Sequence, residues 1–143
     1  MENNESKKLG MRWHNFIVFM RGFAGVVGII ISIFILVLSF LGGMNPLSSI
    51  LGLIMMAVYM YSLEVCRSLY NLESGAPKKL ITFYILNMLV NILDTFVPIM
   101  SSTGSNSSPL DIVKSILGTL FSALIIISIN LHYYDKRKDI FVN

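Results

Sequence analysis

The sequence predicts an all-α protein, an antiparallel bundle of four transmembrane helices. Of its 143 residues, 55% are hydrophobic and only 13% are charged, and the mean hydropathy is +0.72. Soluble domains carry about 25% charged residues, so this chain has too little polar surface to cover a water-soluble core. The apolar residues also concentrate in four long stretches with short polar segments between them. These observations argue against both a soluble monomer and a disordered chain.

Each of the four stretches is long enough to cross a bilayer. A hydrocarbon core about 30 Å thick requires about 20 apolar residues in a helix that rises about 1.5 Å per residue. The predicted spans cover residues 16–41, 47–69, 80–100 and 110–133. Because the connecting segments are too short to fold separately, residues 1–143 form a single transmembrane domain in this prediction.

Turn-forming residues separate the predicted spans. Residues 42–46 combine two glycines with an asparagine and a proline, and residues 71–79 contain a Gly-Ala-Pro break. Residues 101–109 are polar and uncharged, and Pro109 stands beside the next helix start. Proline suits the first turn of a helix, where the N–H that it lacks has no intrahelical partner. Connections of this length join antiparallel neighbours.

The positive charges predict the orientation of the bundle. Cytoplasmic flanks keep an excess of Lys and Arg, and of the eleven basic residues all except Lys114 fall on one side or in its half of the bilayer. We therefore predict a multi-pass protein of the cell membrane with both termini in the cytoplasm. The same bias explains the pI of about 9.1, and it predicts attraction to anionic lipids at the cytoplasmic face rather than binding of nucleic acid.

Ionisable residues inside the spans are the first places to look for function, because each costs about 2.5–3.5 kcal/mol at the centre of a helix. Arg21 and Glu64 lie at similar depths in the first two spans, so one expectation is an ion pair between them. The alternative is that Arg21 reaches the interface while Glu64 pairs with Arg67 one turn away. In either case the role is structural.

The third span carries the most regular polar pattern of the chain. Four of its polar residues follow one another at intervals of three, four and three, which places them on one helical face. They are Tyr84, Asn87, Asn91 and Asp94. We expect this stripe either to line a solute path with Asp94 as proton or cation acceptor, or to form interhelical hydrogen bonds. We also expect an ion pair between Asp94 and Lys114 of the fourth span. The alternative is a local pair between Asp111 and Lys114.

Small residues form a face on the first span. Ala24, Gly28 and Ser32 recur at intervals of four, and such a face allows two helix backbones to approach closely. It predicts tight helix packing or dimerisation.

Patterns of catalytic chemistry are missing from the sequence. Cys66 is the single cysteine, which argues against a disulfide scaffold and against a zinc site built on several thiolates. The sequence has no Ser-His-Asp grouping at one depth, no glycine-rich phosphate loop and no HExxH motif. His14 and His132 both fall at the predicted cytoplasmic surface, as interfacial rings or, alternatively, as a pair that bridges a haem. We expect no enzymatic activity, no cofactor and no metal.

The C-terminal segment 130–141 combines an asparagine, an aromatic pair, a basic cluster and an aliphatic-Phe ending. The residues are Asn130, Tyr133, Tyr134, Lys136, Arg137, Lys138, Ile140 and Phe141. In this pattern it resembles small, uncharacterised four-span membrane proteins of Gram-positive bacteria. The resemblance implies a bacterial inner-membrane setting and brings no assigned activity. Small multidrug exporters share the length class but depend on a glutamate in the middle of the first span, where this chain has Arg21 and no acid.

Two functions follow as expectations. The first is a non-enzymatic integral membrane protein, an accessory, scaffold or immunity-type component that works as a homo-oligomer or with another membrane protein. The second is a small oligomeric transporter or channel subunit whose path follows the polar stripe of the third span.

Overall fold

The computed structural model describes residues 11–42, 46–100 and 108–141. Within these ranges the chain forms four α-helices and a short 3-10 helix: α1 (Arg12–Gly42), α2 (Pro46–Tyr70), α3 (Ala76–Met100), α4 (Pro109–Asp135) and the 3-10 turn Lys138–Ile140. All four α-helices are long and apolar enough to cross a membrane. The described ranges contain no strand. The predicted all-α architecture with four spanning helices is therefore confirmed.

The helices extend beyond the predicted spans where the flanking residues are polar or charged. α1 begins at Arg12 rather than at residue 16, and α3 begins at Ala76 rather than at residue 80. A helix ends where its backbone hydrogen bonds end, whereas the predicted spans end where the apolar residues end. The basic pair Lys78 and Lys79 is thus part of the first turn of α3 instead of a loop.

The helices α1 and α2 pack as an antiparallel pair in direct backbone proximity. Gly25 and Gly28 of α1 face α2, and a Cβ atom at these positions would overlap the side chains of Leu63 and Tyr59 respectively. Near the other end of the pair, Gly52 of α2 stands against side chains of α1. Glycine is therefore required in α1 because it lets two helix backbones come close together.

A tight turn reverses the chain between α2 and α3. Leu72 adopts a left-handed conformation with φ of 54°, which non-glycine residues rarely adopt. The N–H of Glu73 donates to the carbonyl of Ser68 at 3.0 Å, and the N–H of Leu72 donates to that of Leu69 at 3.1 Å. These two bonds form a Schellman motif that closes the end of α2. The Leu72 side chain packs against the core, and this burial offsets the backbone strain.

The core lies at one end of the bundle, where α1 and α3 begin and α2 and α4 end. We call this the basic end, because most of the Lys and Arg residues surround it. Its most deeply buried apolar side chains are Val65, Leu69, Ala76, Leu80 and Phe83. Towards the other end the helices turn large apolar side chains outwards, and the most apolar stretch of α4 contains no buried residue. Such a surface is stable in lipid and not in water.

Helix α4 begins with a cap made by Ser108. The Ser108 hydroxyl accepts the N–H of Asp111 at 3.3 Å and donates to the Asp111 carboxylate at 2.8 Å, and Pro109 occupies the first turn. A serine at this position satisfies an otherwise free N–H, and an acid in the first turn favours the positive end of the helix dipole. Asp111 is therefore part of the cap instead of a partner of Lys114.

Candidate functional site

The polar stripe of α3 faces α4 and forms one wall of an open cleft. Tyr84, Asn87 and Asn91 line this cleft, which has a volume of about 410 Å³. Asp94 lies one turn beyond Asn91 and is exposed, outside the lining of the cleft. We call this cleft the α3–α4 groove.

The opposite wall belongs to a face of α4 of which the sequence analysis singled out Lys114 alone. Its residues are small or polar and include Lys114, Ser115, Gly118, Thr119 and Ser122. The intervals between Ser115, Gly118 and Ser122 are three and four residues, the spacing that places side chains on one helical face. That spacing, matched to the stripe of α3, is the signal by which the sequence could have revealed the groove.

Hydrogen bonds across the groove are few. The Oγ1 of Thr95 and the Oγ of Ser115 lie 3.4 Å apart, and the Tyr84 hydroxyl accepts from Asn130 Nδ2 at 3.5 Å. Polar side chains of α3 also bond to their own helix. Asn91 Nδ2 donates to the carbonyl of Asn87 at 2.8 Å, and Thr95 Oγ1 donates to the carbonyl of Asn91 at 3.0 Å. Few hydrogen bonds therefore join the two walls, and the groove is open to the outside of the bundle.

The predicted ion pairs of the spans do not form among the described residues. Asp94 and Lys114 are both exposed, and neither has an ionic partner there. Glu64 pairs with Lys79 at 3.2 Å instead of with Arg21 or Arg67. The reason is the extra turn of helix at the start of α3, which brings Lys79 to the end of α2. The expectations of Arg21–Glu64, Glu64–Arg67, Asp94–Lys114 and Asp111–Lys114 pairs are therefore wrong.

Lys79 is the centre of a polar network at the α2–α3 turn. Its Nζ donates to Glu64 Oε1 at 3.2 Å, to Ser68 Oγ at 2.7 Å and to Glu73 Oε2 at 3.1 Å. The hydrogen bond from Ser68 and the ammonium of Lys79 hold the pKa of Glu73 below its usual value. A single lysine thus ties together the end of α2, the turn and the start of α3.

Arg21 lies against aromatic rings instead of an acid. The guanidinium carbon is 4.7 Å from the ring centre of Phe83 and 5.0 Å from that of Tyr84, which is within the range of cation–π attraction. The Tyr84 hydroxyl accepts a hydrogen bond of 3.5 Å from Asn130 Nδ2. This chain of contacts joins α1, α3 and α4 near the basic end, where Asn130 is completely buried. In the described part of the protein, Asn130 Oδ1 has no hydrogen-bond partner.

The small-residue face of α1 is occupied by the chain itself. Gly28 lies under the Tyr59 ring, and Ser32 is buried with its hydroxyl donating to the carbonyl of Gly28 at 2.8 Å. Ala24, on the same face, is partly buried. The face thus serves the packing of α1 against α2, and it is not available as a dimerisation surface.

The two histidines do not face each other. His14 is buried, with its Nδ1 at 3.3 Å from the Tyr134 hydroxyl and its ring edge-on to Phe141, whereas His132 is exposed. The arrangement closes the basic end between α1, α4 and the segment that follows α4. In the three ranges that the structure covers, no three His, Cys, Asp or Glu side chains gather as metal ligands do.

Comparisons with known proteins give no relative from which a role could be transferred. No family model, no curated protein and no solved structure matches this chain.

Proposed function

We propose that the protein is a non-enzymatic integral membrane component, of the accessory, scaffold or immunity type, that binds a transmembrane helix in the α3–α4 groove. The groove supports this proposal because several polar side chains line it and it is open to the outside of the bundle. Polar groups facing lipid tails are costly, and hydrogen bonds between helices in a membrane contribute about 0.6–2 kcal/mol each. A helix that filled the groove would remove these groups from lipid.

The shape of the groove suits a helix. Gly118 has no atom within 4 Å of where its Cβ would stand, so the middle of the groove is empty at a position where a partner backbone can approach. Ser115 and Ser122 flank it with hydroxyl groups. Small residues and hydroxyls of this kind favour close helix association in membranes, and the corresponding face of α1 is already covered by α2.

Filling the groove tests the proposal. Gly118→Trp places a large ring in the groove, whereas Leu117→Trp adds the same ring to an exposed residue that does not line it. We expect Gly118→Trp to reduce, at least about fivefold, the partner recovered by cross-linking in intact membranes and affinity purification, an effect of about 1 kcal/mol. Leu117→Trp should leave recovery unchanged, and both variants should elute as the wild type does in detergent.

The identity of the recovered partner distinguishes a second copy of this chain from another membrane protein. Equal recovery with Gly118→Trp and the wild type would contradict the proposal.

A transporter or channel subunit is the second candidate, and one observation favours it. Another cleft lies further along the same α3–α4 seam. Asn130 lines that cleft, Tyr84 lines the groove, and the two residues hydrogen-bond to each other. Opening of this contact would join the two clefts into one continuous route along the bundle. If so, purified protein in liposomes should carry ions or cationic dyes, and Asn91→Leu should abolish the flux. Flux no higher than in empty liposomes across a panel of solutes would exclude this function.

A further inference from the structure

The second cleft lies at the basic end, outside the groove proposed to bind a helix. It has a volume of about 570 Å³, within the range of about 300–1,000 Å³ that is typical of small-molecule sites. The start of α3, the end of α4 and the segment after α4 form its walls. We call it the basic cleft.

The basic cleft carries a net positive charge at its mouth. Lys78, Lys138 and Asp135 are its charged lining residues. Lys138 pairs with Asp135, whereas Lys78 is exposed and has no ionic partner among the described residues. One positive charge therefore remains uncompensated.

The start of α3 adds to this positive potential. Pro77 and Lys78 line the cleft and belong to the first turn of α3, which contains no acidic residue. The N-terminal end of a helix carries a partial positive charge that attracts phosphate and other anions. Lys79, the other lysine of this turn, is fully engaged by its own network and does not line the cleft.

Below its mouth the lining of the cleft is mainly apolar, with Thr82 and Asn130 as polar residues within it. Ile81 stands one turn further along α3, Leu131 lies one turn before the end of α4, and Phe141 closes the side. Leu131 is 53% exposed, and it belongs to α4, which is apolar enough to cross a membrane. From the end of the bundle inwards, the lining thus changes from cationic to aliphatic over about one helical turn, which is the order of groups in a phospholipid.

We propose that the basic cleft binds an anionic glycerophospholipid with a single phosphodiester. Its phosphate contacts Lys78 and Lys138 beside the start of α3, and an acyl chain follows Ile81 and Leu131. One uncompensated lysine matches one phosphodiester charge. A zwitterionic lipid would bring a second cation, but the acid that could receive it, Asp135, is already paired with Lys138. The proposal is independent of the helix-binding groove and differs from general attraction of lipid to a basic surface, because it assigns the lipid to named residues.

Native mass spectrometry can test the site in protein extracted from membranes containing equal amounts of phosphatidylglycerol and phosphatidylcholine. We expect the wild type to retain phosphatidylglycerol in preference to phosphatidylcholine. Lys78→Gln should lower the retained phosphatidylglycerol about fivefold, the effect of one lysine near an anionic lipid. Lys136→Gln is the matched control, because it removes the same charge from the same end of the bundle at an exposed residue outside the cleft.

A second variant separates a lipid site from a simple anion site. Ile81→Trp keeps every charge and fills the apolar part of the cleft, so it should also lower phosphatidylglycerol retention. Soluble glycerophosphoglycerol, which has the headgroup without acyl chains, should not displace the lipid at equal concentration.

Three results would overturn the proposal: equal losses with Lys78→Gln and Lys136→Gln, no preference for phosphatidylglycerol, or displacement by the soluble headgroup. Circular dichroism and gel filtration of each variant in detergent identify one that fails to fold, and the remaining variants then decide the outcome.

Discussion

Two glycines of the bundle stand in opposite surroundings. A methyl group at Gly28 would overlap the ring of Tyr59 near its attachment to the chain, where the ring cannot easily move aside. A methyl group at Gly118 would meet no atom within 4 Å. The same chemical change is therefore expected to have opposite effects in α1 and α4.

We predict that Gly28→Ala lowers the free energy of unfolding by about 1–3 kcal/mol, the usual cost of overpacking a well-filled contact. Gly118→Ala is the control and should be neutral or stabilise by up to about 1 kcal/mol, because alanine favours the helix over glycine. Denaturant titration of the purified protein in detergent micelles, followed by circular dichroism, measures both. Equal free energies of unfolding for the two variants would show that the α1–α2 contact can accommodate a methyl group at Gly28.

At the scale of helices, Lys79 links the end of α2, the turn and the start of α3 by hydrogen bonds. Lys79→Met removes three hydrogen bonds and keeps the apolar stem, so we predict a lower apparent Tm in detergent. The loss should be smaller than that of Gly28→Ala, because the ionic partners are partly exposed and screened by water. Lys78→Met, one residue away and without an ion pair in the described structure, should leave the Tm unchanged.

Acid pH should reduce the difference between Lys79→Met and the wild type. The pKa of Glu73 is lower in the folded protein than its usual value because of Ser68 and Lys79. A carboxylate of this kind stabilises the fold at pH values above its unfolded pKa, and the contribution is lost as the pH falls through the lowered folded value. A Tm difference that stays constant through this range would assign the effect to packing instead of charge.

Helix pairing is also where sequence reasoning reached its limit. The spacing of Tyr84, Asn87 and Asn91 predicted that they share one side of α3, since a helical period fixes which residues lie together, and all three line the α3–α4 groove. The partners of Arg21 and Glu64 could not be predicted, because they depend on how far each helix is rotated about its axis and on where α3 begins. Because α3 begins one turn earlier than predicted, Lys79 lies beside Glu64 and pairs with it in place of the predicted Arg21.

The whole molecule is the scale at which the sequence was most informative. Charge-poor apolar stretches of 20 or more residues can be buried only as spanning helices, and the four helices follow from that requirement alone. The orientation of the bundle depends on the distribution of Lys and Arg and stays a prediction.

Cysteine labelling in intact cells tests that orientation. In a Cys66→Ser background, we predict that single cysteines at Asn45 and Ser105 react with an impermeant maleimide and that one at Asn143 does not. All three positions lie outside the described residues and within the predicted loops or terminus. Permeabilised cells provide the control, in which the cysteine at Asn143 should also react. The reverse pattern in intact cells would invert the bundle in the membrane.

The close contact between α1 and α2 has a consequence for biosynthesis. Both helices of this contact precede α3 and α4 in the chain, so this hairpin can reach its final packing in the bilayer while α3 and α4 are still being made. Of the four helices, α4 is made last, and in the described residues its packing partners lie along α3 and at the basic end. The closely packed α1–α2 hairpin can therefore be complete before the lipid-exposed helix α4 packs against α3.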